Sequence, residues 1–279
     1  LVGLKIKEIQ VKSILTRTSG YLSTVSSHSL QPYSGCTFGN ALCGVGCYVQ
    51  HNYFITRGRK WGSFLDVKVN AVERYQRTYA REKAWAHKDG RRFIIFFSSS
   101  TDPFLPQNQK YQLTEKLLHA MLRQPPDKLI LQTHSHRVQE ALPQLKDLAR
   151  ECELSVHISI ESDRDRLPKL PGPASSVENR LDAARRIKDA GLFSVVTASP
   201  LLPIANPDAF FNRIAEVSNA VVLDHFIGGD GSRNGVRTKK TALPASMAHV
   251  REESTRLGYL DQMVRICLLY TSPSPRDSC

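Results

Sequence analysis

The sequence predicts an α/β fold in which parallel strands and outer helices form a partial (β/α)6 barrel. Short apolar runs alternate along the chain with segments whose apolar residues repeat at helical spacing. The runs start about thirty residues apart, which is the length of a strand followed by a crossover helix. A chain of 279 residues that is 41% hydrophobic also has enough apolar material for a sizeable core.

Five apolar runs are predicted as strands, and a sixth strand is expected just before Cys36. Six strands are too few for the eight of a closed barrel, so the barrel is expected to be open. In barrels of parallel strands the chemistry lies at the carboxyl ends of the strands. The five runs are 93–98, 128–132, 154–160, 193–197 and 220–224.

Helices are predicted between these strands. Leucines repeat at helical spacing in 113–122. Ser175 and Glu178 have the spacing of a capping box at a helix start, and Gly191 follows that helix as a C-cap. Pro207 is expected to open the next helix. Alternation of strands and helices favours a parallel sheet covered by helices.

The chain carries a formal charge of +12, with 38 Lys and Arg against 26 Asp and Glu. This balance favours anionic partners, above all nucleic acid, although a solvated basic surface without a ligand is the alternative. No run of about 18 apolar residues occurs, and the first residues lack a signal-peptide pattern. We therefore expect a soluble, cytoplasmic protein without a membrane partner.

Three regions are expected along the chain. Residues 1–25 are predicted to be an N-terminal extension, and 26–258 the barrel core with a basic insertion near 58–90. Residues 259–279 form a C-terminal segment. Its last residues, 271–279, have no apolar periodicity and are expected to be a disordered or non-native tail.

Three of the six cysteines, Cys36, Cys43 and Cys47, fall within twelve residues that are rich in glycine. Their clustering favours metal binding over a disulfide framework. Glycines let a loop turn tightly around an iron–sulfur cluster, and three thiolates leave one iron open to a further ligand. A zinc site completed by His51, or thiols without a metal, are the alternatives, and the spacing does not decide among them.

Several segments carry a family resemblance. The segment from Gln31 to Tyr48 reads QPYSGC…C…CY, a later strand ends in STDPF, and 133–135 reads THS. These motifs, with the ASPLLP of 198–203, resemble the spore photoproduct lyase-like branch of the radical SAM superfamily. That branch shows N-P-Y-x-G-C…C-x2-C-Y, then T-D-P-Y-Q-P, then T-K-S. The similarity extends in order from about Gln31 to Asp230.

The resemblance implies a radical SAM enzyme with a partial (β/α)6 TIM-like barrel. It implies a [4Fe–4S] cluster on Cys36, Cys43 and Cys47, with S-adenosyl-L-methionine bound at the open iron. An electron from a reductant such as flavodoxin or ferredoxin then leads to a 5′-deoxyadenosyl radical that abstracts hydrogen from a substrate. The cofactors supply this chemistry, and the protein orients them and excludes water.

The resemblance also implies a set of residues that contact S-adenosylmethionine. Tyr48 is expected against the adenine, and the end of the strand before Pro103 against the methionyl ammonium. His134 stands where the family has a lysine for the methionyl carboxylate. Ser159 and Glu161 alternate along one strand and share a face, and they are assigned to the ribose. The full set is Tyr48, Ser100, Thr101, Asp102, His134, Ser159 and Glu161.

Each assignment has a structural alternative. Tyr48 is equally a core aromatic, the Asp102-Pro103 pair is also a common turn, and Glu161 is also suited to a salt bridge with an arginine. The spacing C-x6-C-x3-C differs from the usual C-x3-C-x2-C of the superfamily. Serines occupy 98–100, where spore photoproduct lyases carry a hydrogen-donating cysteine, so thymine-dimer reversal is not expected.

Two further function classes compete with the radical enzyme. A non-catalytic nucleic-acid-binding protein stapled by zinc on the three cysteines and His51 is the alternative from spacing and charge. A metal-independent hydrolase has less support, because the sequence contains no G-x-S-x-G, HExxH or P-loop pattern.

Overall fold

A computed structural model of the chain describes residues 3–271. The strands within this range are β1 (Lys5–Ile9), β2 (Leu15–Arg17), β3 (His28–Leu30), β4 (Tyr33–Ser34), β5 (Phe64–Lys68), β6 (Ile94–Phe97), β7 (Lys128–Thr133), β8 (Glu153–Ser159), β9 (Phe193–Ala198) and β10 (Ala220–Leu223). The helices are α1 (Leu22–Val25), α2 (Leu42–Val45), α3 (Tyr53–Thr56), α4 (Ala71–His87), α5 (Asn108–Tyr111), α6 (Leu113–Arg123), α7 (Leu142–Leu148), α8 (Val177–Asp189), α9 (Pro207–Val217), α10 (Phe226–Gly229), α11 (Val236–Lys239), α12 (Leu243–Val250) and α13 (Leu257–Cys267).

The main sheet has the strand order β10-β9-β8-β7-β6-β3-β2. The strands from β3 to β10 in this order are parallel to their neighbours, and β2 joins the β3 edge in the antiparallel direction. Within residues 3–271 the edge strands β2 and β10 do not pair with each other, so the barrel is open. The predicted partial (β/α)6 barrel is confirmed, and the five strands predicted with bounds are found within two residues of them. The sixth barrel strand is β3, which ends at Leu30, while β4, the strand nearest to Cys36, belongs to a separate small sheet.

The core lies between the sheet and the helices that connect its strands. Leu129 and Leu131 of β7, with Val156 and Ile158 of β8, are fully buried, and Ile130 and Ser155 on the opposite faces are also buried, as expected for strands covered on both faces. The helices α6, α7, α8 and α9 each connect two neighbouring parallel strands. Helix α13 contributes Tyr259 and other buried residues to the same apolar cluster.

A second, three-stranded sheet of order β1-β5-β4 lies beside the barrel. Its central strand buries Phe64, Leu65 and Val67 against Tyr33 and Trp61. Residues 36–51, which include the three clustered cysteines, connect β4 to the chain before β5. The small sheet therefore anchors both ends of the cysteine segment.

Helix α8 corrects one expectation and confirms another. The capping box at Ser175 is wrong: Ser176 is the N-cap and accepts a bond of 3.2 Å from the amide of Asn179. The hydroxyl of Ser175 contacts His136 Nδ1 instead, at 2.9 Å. Gly191 ends the helix as expected, with φ of +79°. The amides of Gly191 and Leu192 bond back to the carbonyls of Lys188 and Ile187, which is a Schellman motif.

The region 58–90 contains β5 and α4. Helix α4 packs against α6 and β2 and precedes β6, so it has the position of the crossover helix between β3 and β6. Among the residues that the structure describes, no helix is both long and apolar enough to span a membrane. The tail expected at 271–279 lies, apart from Thr271, outside the described residues.

Candidate cofactor site

The cysteine segment is a compact series of short turns. It contains the turn Thr37–Asn40, helix α2 and the turn Tyr48–His51. A Cβ at Gly39 would lie 2.5 Å from the backbone of Gly62, and a Cβ at Gly44 would overlap the carbonyl oxygen of Phe38. Only glycine allows these backbone segments to approach so closely, so the loop depends on them.

The three thiols of this segment are unbonded and shielded from solvent. Cys36 is buried, while Cys43 and Cys47 are half-buried. Burial raises the pKa of Cys36 to about 12 and that of Cys47 to about 11. Burial also raises the pKa of Cys43, and the two neighbouring thiols raise it further. The three sulfurs are thus close enough to repel one another when ionised.

Backbone amides point toward two of these sulfurs. Hydrogen bonds from the amides of Phe38 and Asp102 lower the pKa of Cys36, and those of Val49 and Gln50 lower the pKa of Cys47, although burial outweighs them. Buried thiols that are neutral alone but surrounded by amide donors suit ligation by a cationic metal group, which displaces the thiol protons. The residues present therefore fit an iron–sulfur cluster.

The three cysteines and His51 do not form a preassembled site for a single ion. Within residues 3–271, no group of three or more His, Cys, Asp or Glu side chains lies close enough together to hold one metal ion. His51, the fourth ligand of the zinc alternative, is exposed at the end of its turn.

Asp102 joins the ends of two neighbouring strands. Its buried carboxylate accepts hydrogen bonds from Thr133 Oγ1 at 2.9 and 3.0 Å, from the His134 amide at 2.6 Å and from the Phe104 amide at 2.9 Å. Burial raises the pKa of Asp102, while His134 and these donors act in the opposite direction. Asp102 thus fixes the loop after β6 to the carboxyl end of β7, and it also makes the turn that its Asp-Pro sequence suggests.

Glu161 follows β8 and lies between a cation and an imidazole. Its Oε2 accepts a bond of 2.7 Å from Arg180 Nη1, which also donates to the Ser159 carbonyl at 2.6 Å. Its Oε1 lies 3.0 Å from His134 Nε2. That contact is close but is not aligned as a hydrogen bond, so Oε1 remains without a hydrogen-bond partner. The salt-bridge alternative for Glu161 is therefore realised.

Arg180 is a member of the site that the sequence analysis missed. It projects from α8 and only 4% of its side chain is exposed. The signal in the sequence is its position: Val177, Leu181 and Ala184 belong to the same buried face of the helix. A charged residue on the inward face of an amphipathic helix requires a buried partner.

Other polar groups at this end of the sheet are buried and unpartnered. Ser98 Oγ and Thr101 Oγ1 have no hydrogen-bond partner among the described residues. Ser98 also has a φ of +76°, an unfavourable conformation for a residue with a side chain. Buried polar groups of this kind mark a place where a ligand can satisfy them.

The remaining site residues lie around this group. Ser100 is half-buried, and its amide lies 3.4 Å from Gln31 Oε1, beside the start of the cysteine segment. Ser159 is fully buried and contacts Gln132 and Thr197 in the sheet. Tyr48 is 37% exposed beside Cys47. The structure thus brings Asp102, His134 and Glu161 into one connected network, which Ser159 joins only through its backbone carbonyl and from which Tyr48 is separate.

This arrangement is an open barrel of parallel strands with three shielded thiols and a buried polar network, a set of features typical of cofactor-dependent enzymes. Residues 31–214 match the family model of the radical SAM superfamily, which is more than half of the chain. The chain belongs to the radical SAM superfamily.

The chain is also similar to a curated protein in sequence. A radical SAM Nalpha-GlyT isomerase of Pseudomonas phage M6 is 27% identical over 205 residues, which are 71% of this chain and 38% of that protein. The chain thus spans well under half of that relative's length.

The fold is similar to that of a spore photoproduct lyase double mutant with bound AdoMet and dinucleoside spore photoproduct, with a TM-score of 0.64, 16% identity, and coverage of 96% of this chain and 80% of that one. A second mutant with the dinucleoside spore photoproduct gives a TM-score of 0.56 and 16% identity over 75% of this chain and 56% of that one. At this level of identity the similarity concerns the fold. None of these findings supports the zinc-stapled binding protein.

Proposed function

We propose that the protein holds a [4Fe–4S] cluster on Cys36, Cys43 and Cys47 and binds S-adenosyl-L-methionine at the carboxyl ends of the barrel strands. The observation that carries this proposal is the set of three neighbouring, solvent-shielded thiols with amide donors, in a chain of the radical SAM superfamily. When bound, the cluster supplies an electron that cleaves S-adenosylmethionine and yields a 5′-deoxyadenosyl radical, which abstracts hydrogen from the substrate.

The protein's own residues position and shield this chemistry. Asp102 holds the ends of β6 and β7 together through Thr133. Arg180 keeps Glu161 ionised, and its Oε1, which lies 3.0 Å from His134 Nε2, is proposed to accept a hydrogen bond from a ribose hydroxyl. The unpartnered hydroxyls of Ser98 and Thr101 are available to the polar groups of the same ligand. Tyr48, Ser100, His134 and Ser159 complete the proposed cofactor shell.

We propose a substrate that contains nucleotides, and a flavodoxin or ferredoxin as the electron donor. The charge of +12 favours an anionic substrate. Two solved structures of similar fold hold a dinucleoside, which supports the same class. Serines fill 98–100, so no thiol is placed there to return hydrogen to a product radical. The reaction is therefore expected to differ from photoproduct reversal.

The proposal is tested by iron and sulfide analysis of protein purified without oxygen. We expect about four irons and four sulfides per chain, and 5′-deoxyadenosine when S-adenosylmethionine and a strong reductant are added. Cys43→Ala should lose most of the iron and the product. Cys152→Ala is the matched control, because this half-buried thiol lies outside the cysteine segment, next to β8.

Two results would contradict the cluster. One is a colourless protein with one zinc per chain that Cys43→Ala removes. The other is equal iron in the parent, Cys43→Ala and Cys152→Ala proteins, which would show that the three thiols do not hold the metal.

A further inference from the structure

Two consecutive aromatic side chains stand in solvent directly after the cysteine segment. Tyr53 is 71% exposed and Phe54 is 92% exposed. They are held on a defined turn, because the side chain of Asn52 accepts a bond of 3.0 Å from the Phe54 amide, and Arg57 ends the turn in the left-handed conformation. Single exposed apolar residues are ordinary, but an adjacent pair on a capped turn indicates a surface that meets a partner.

Basic residues follow this aromatic pair in the chain, without acidic neighbours in sequence. Neither 51–60 nor 233–240 contains an Asp or Glu. Among their lysines and arginines, Arg59 forms an ion pair with Asp66 at 2.7 Å. The others have no ion pair within the part of the chain that the structure describes; they are Arg57, Lys60, Arg233, Arg237, Lys239 and Lys240.

The two basic segments meet beside the candidate cofactor site. Helix α11 contacts the turn Tyr48–His51, which follows Cys47 and leads directly into α3. Asp230, the nearest acidic residue before α11, is buried, and its carboxylate accepts bonds from Ser232 and Thr238. We call residues 51–60 and 233–240 together the basic rim.

Another basic region of the chain has more of its cations in ion pairs than the basic rim, although Glu73, Glu82 and Glu153 are each shared by two cations. Most cations of 74–92 pair with carboxylates, as Arg81 does with Glu82 at 2.8 Å and Arg92 with Glu153 at 2.8 Å. Arg92 and Glu153 lie at the amino ends of β6 and β8, the end of the sheet opposite to the candidate site.

We propose that the basic rim binds single-stranded or locally unpaired nucleic acid and presents it to the cofactor site. The unpaired cations suit successive phosphates, and Tyr53 and Phe54 provide faces on which bases stack. Aromatic residues also occur at protein and membrane interfaces, so an acidic protein and an anionic membrane are alternatives that the experiment must separate from nucleic acid. This inference rests on the proposed function, since it identifies the surface that the proposed nucleotide-containing substrate uses.

The test is fluorescence anisotropy of the full chain with a labelled oligonucleotide of about 16 thymidines, at about 50 and 200 mM salt. Phe54→Ala should weaken binding about tenfold without changing the salt dependence, because it removes stacking alone. Arg57→Gln together with Lys60→Gln should weaken binding about tenfold or more at low salt. It should also reduce the slope of log affinity against log salt by about 1.4, because two phosphate contacts are lost.

A matched control removes the same charge elsewhere. Arg150→Gln together with Arg186→Gln changes two exposed arginines that already pair with Asp147 and Asp182, and should alter binding less than about twofold. Arg233→Gln together with Lys239→Gln tests the second segment independently of the fold of the first. Far-UV circular dichroism confirms that each variant is folded.

The outcomes separate this inference from the proposed function. A parent protein that contains the cluster and cleaves S-adenosylmethionine, but binds no oligonucleotide, overturns the rim alone. The reverse result is a protein that has no cluster but binds the oligonucleotide, with binding lost in the rim variants. It supports the rim and contradicts the proposed function. Equal losses in the rim and control variants, or capture of anionic vesicles or an acidic peptide as tightly as the oligonucleotide, overturn the nucleic-acid surface.

Discussion

At the scale of single residues, the pair of Glu161 and Arg180 keeps a buried carboxylate ionised after the end of β8. Their side chains are 8% and 4% exposed. Burial by itself raises the pKa of Glu161, but the charge of Arg180 and the nearby His134 outweigh it and set that pKa at about 2. Glu161 is therefore a carboxylate at neutral pH, and its fixed position depends on an arginine that only the folded chain brings near.

Replacing Arg180 should leave the buried carboxylate of Glu161 without its cation and so destabilise the fold. Arg180→Met is expected to lower the free energy of unfolding by about 3–5 kcal/mol at pH 7. The paired Glu161 has a pKa below 4.5 in the parent, so its contribution is present above about pH 4.5 and is lost as the pH falls toward 2. In the variant burial raises the same pKa, so protonation relieves the penalty, and the difference from the parent should shrink as the pH falls from 7 to 5.

Urea denaturation at pH 7 and pH 5 measures both effects. Arg186→Met is the control on the same helix, because its side chain is 60% exposed and pairs with Asp182 on the surface. It should change the stability by less than about 0.5 kcal/mol. Equal stability of the two variants would contradict the role given to Arg180.

At the scale of elements, the two ends of helix α8 differ in how far the local sequence determines them. Its end was predictable, because Gly191 supplies the left-handed residue that a Schellman motif needs. Its beginning was predicted one residue early. Ser175 and Ser176 are adjacent and chemically alike, and Ser175 is withdrawn from capping by its contact with His136, which comes from a distant loop. Sequence cannot show that competition.

The C-terminal turn of α8 can be used to test whether the helix end needs a glycine at position 191. Gly191 has a φ of +79° and open space around the position of a Cβ, so Gly191→Ala creates backbone strain without a steric overlap. We expect a loss of about 1 kcal/mol in the free energy of unfolding, measured by urea denaturation. Gly172→Ala is the control, because Gly172 also has open space but no positive φ. A larger loss at Gly172 than at Gly191 would contradict the strain argument.

Helix α4 shows why a regular element is hard to find from its sequence. Its buried residues follow helical spacing, but they include Thr78 and Glu82 beside the small residues Ala71 and Ala86. The buried Glu82 pairs with Arg17 and contacts His28, which lie far away in the sequence. A buried stripe with so few large apolar residues looks like a basic, solvated segment. The strands, whose apolar runs are continuous, were predicted well.

The candidate site also has a part that the sequence could predict and a part that it could not. The cysteines and the strand-end residues Asp102, Ser159 and Glu161 could be chosen from motifs and alternation. The contact of His134 with Glu161, and the role of Arg180, depend on β7, β8 and α8 meeting in space. Pairings between separate segments are set by the packed fold, and a single sequence does not record them.

At the scale of the whole molecule, helix α13 connects the end of the described chain to the barrel. Tyr259, Met263 and Cys267 are buried in the main core. The Tyr259 hydroxyl accepts a bond of 2.8 Å from the Ile204 amide, in the loop between β9 and α9. The division proposed at residue 258 therefore separates two parts that share one core. A shared core predicts that the helix and the barrel unfold together.

A truncation inside this helix measures that coupling. Met263 is fully buried, so Met263→Ala should lower the free energy of unfolding by about 2–5 kcal/mol, as a cavity in the barrel core would. Val264, its neighbour, is 37% exposed, and Val264→Ala should cost less than about 1 kcal/mol. Both are followed by urea denaturation with fluorescence and far-UV circular dichroism. Coincident single transitions with a lower midpoint for Met263→Ala support one cooperative unit. Two transitions, or an unchanged midpoint, would show that the change at Met263 does not affect the barrel. Residues 259–271 would then fold separately from it.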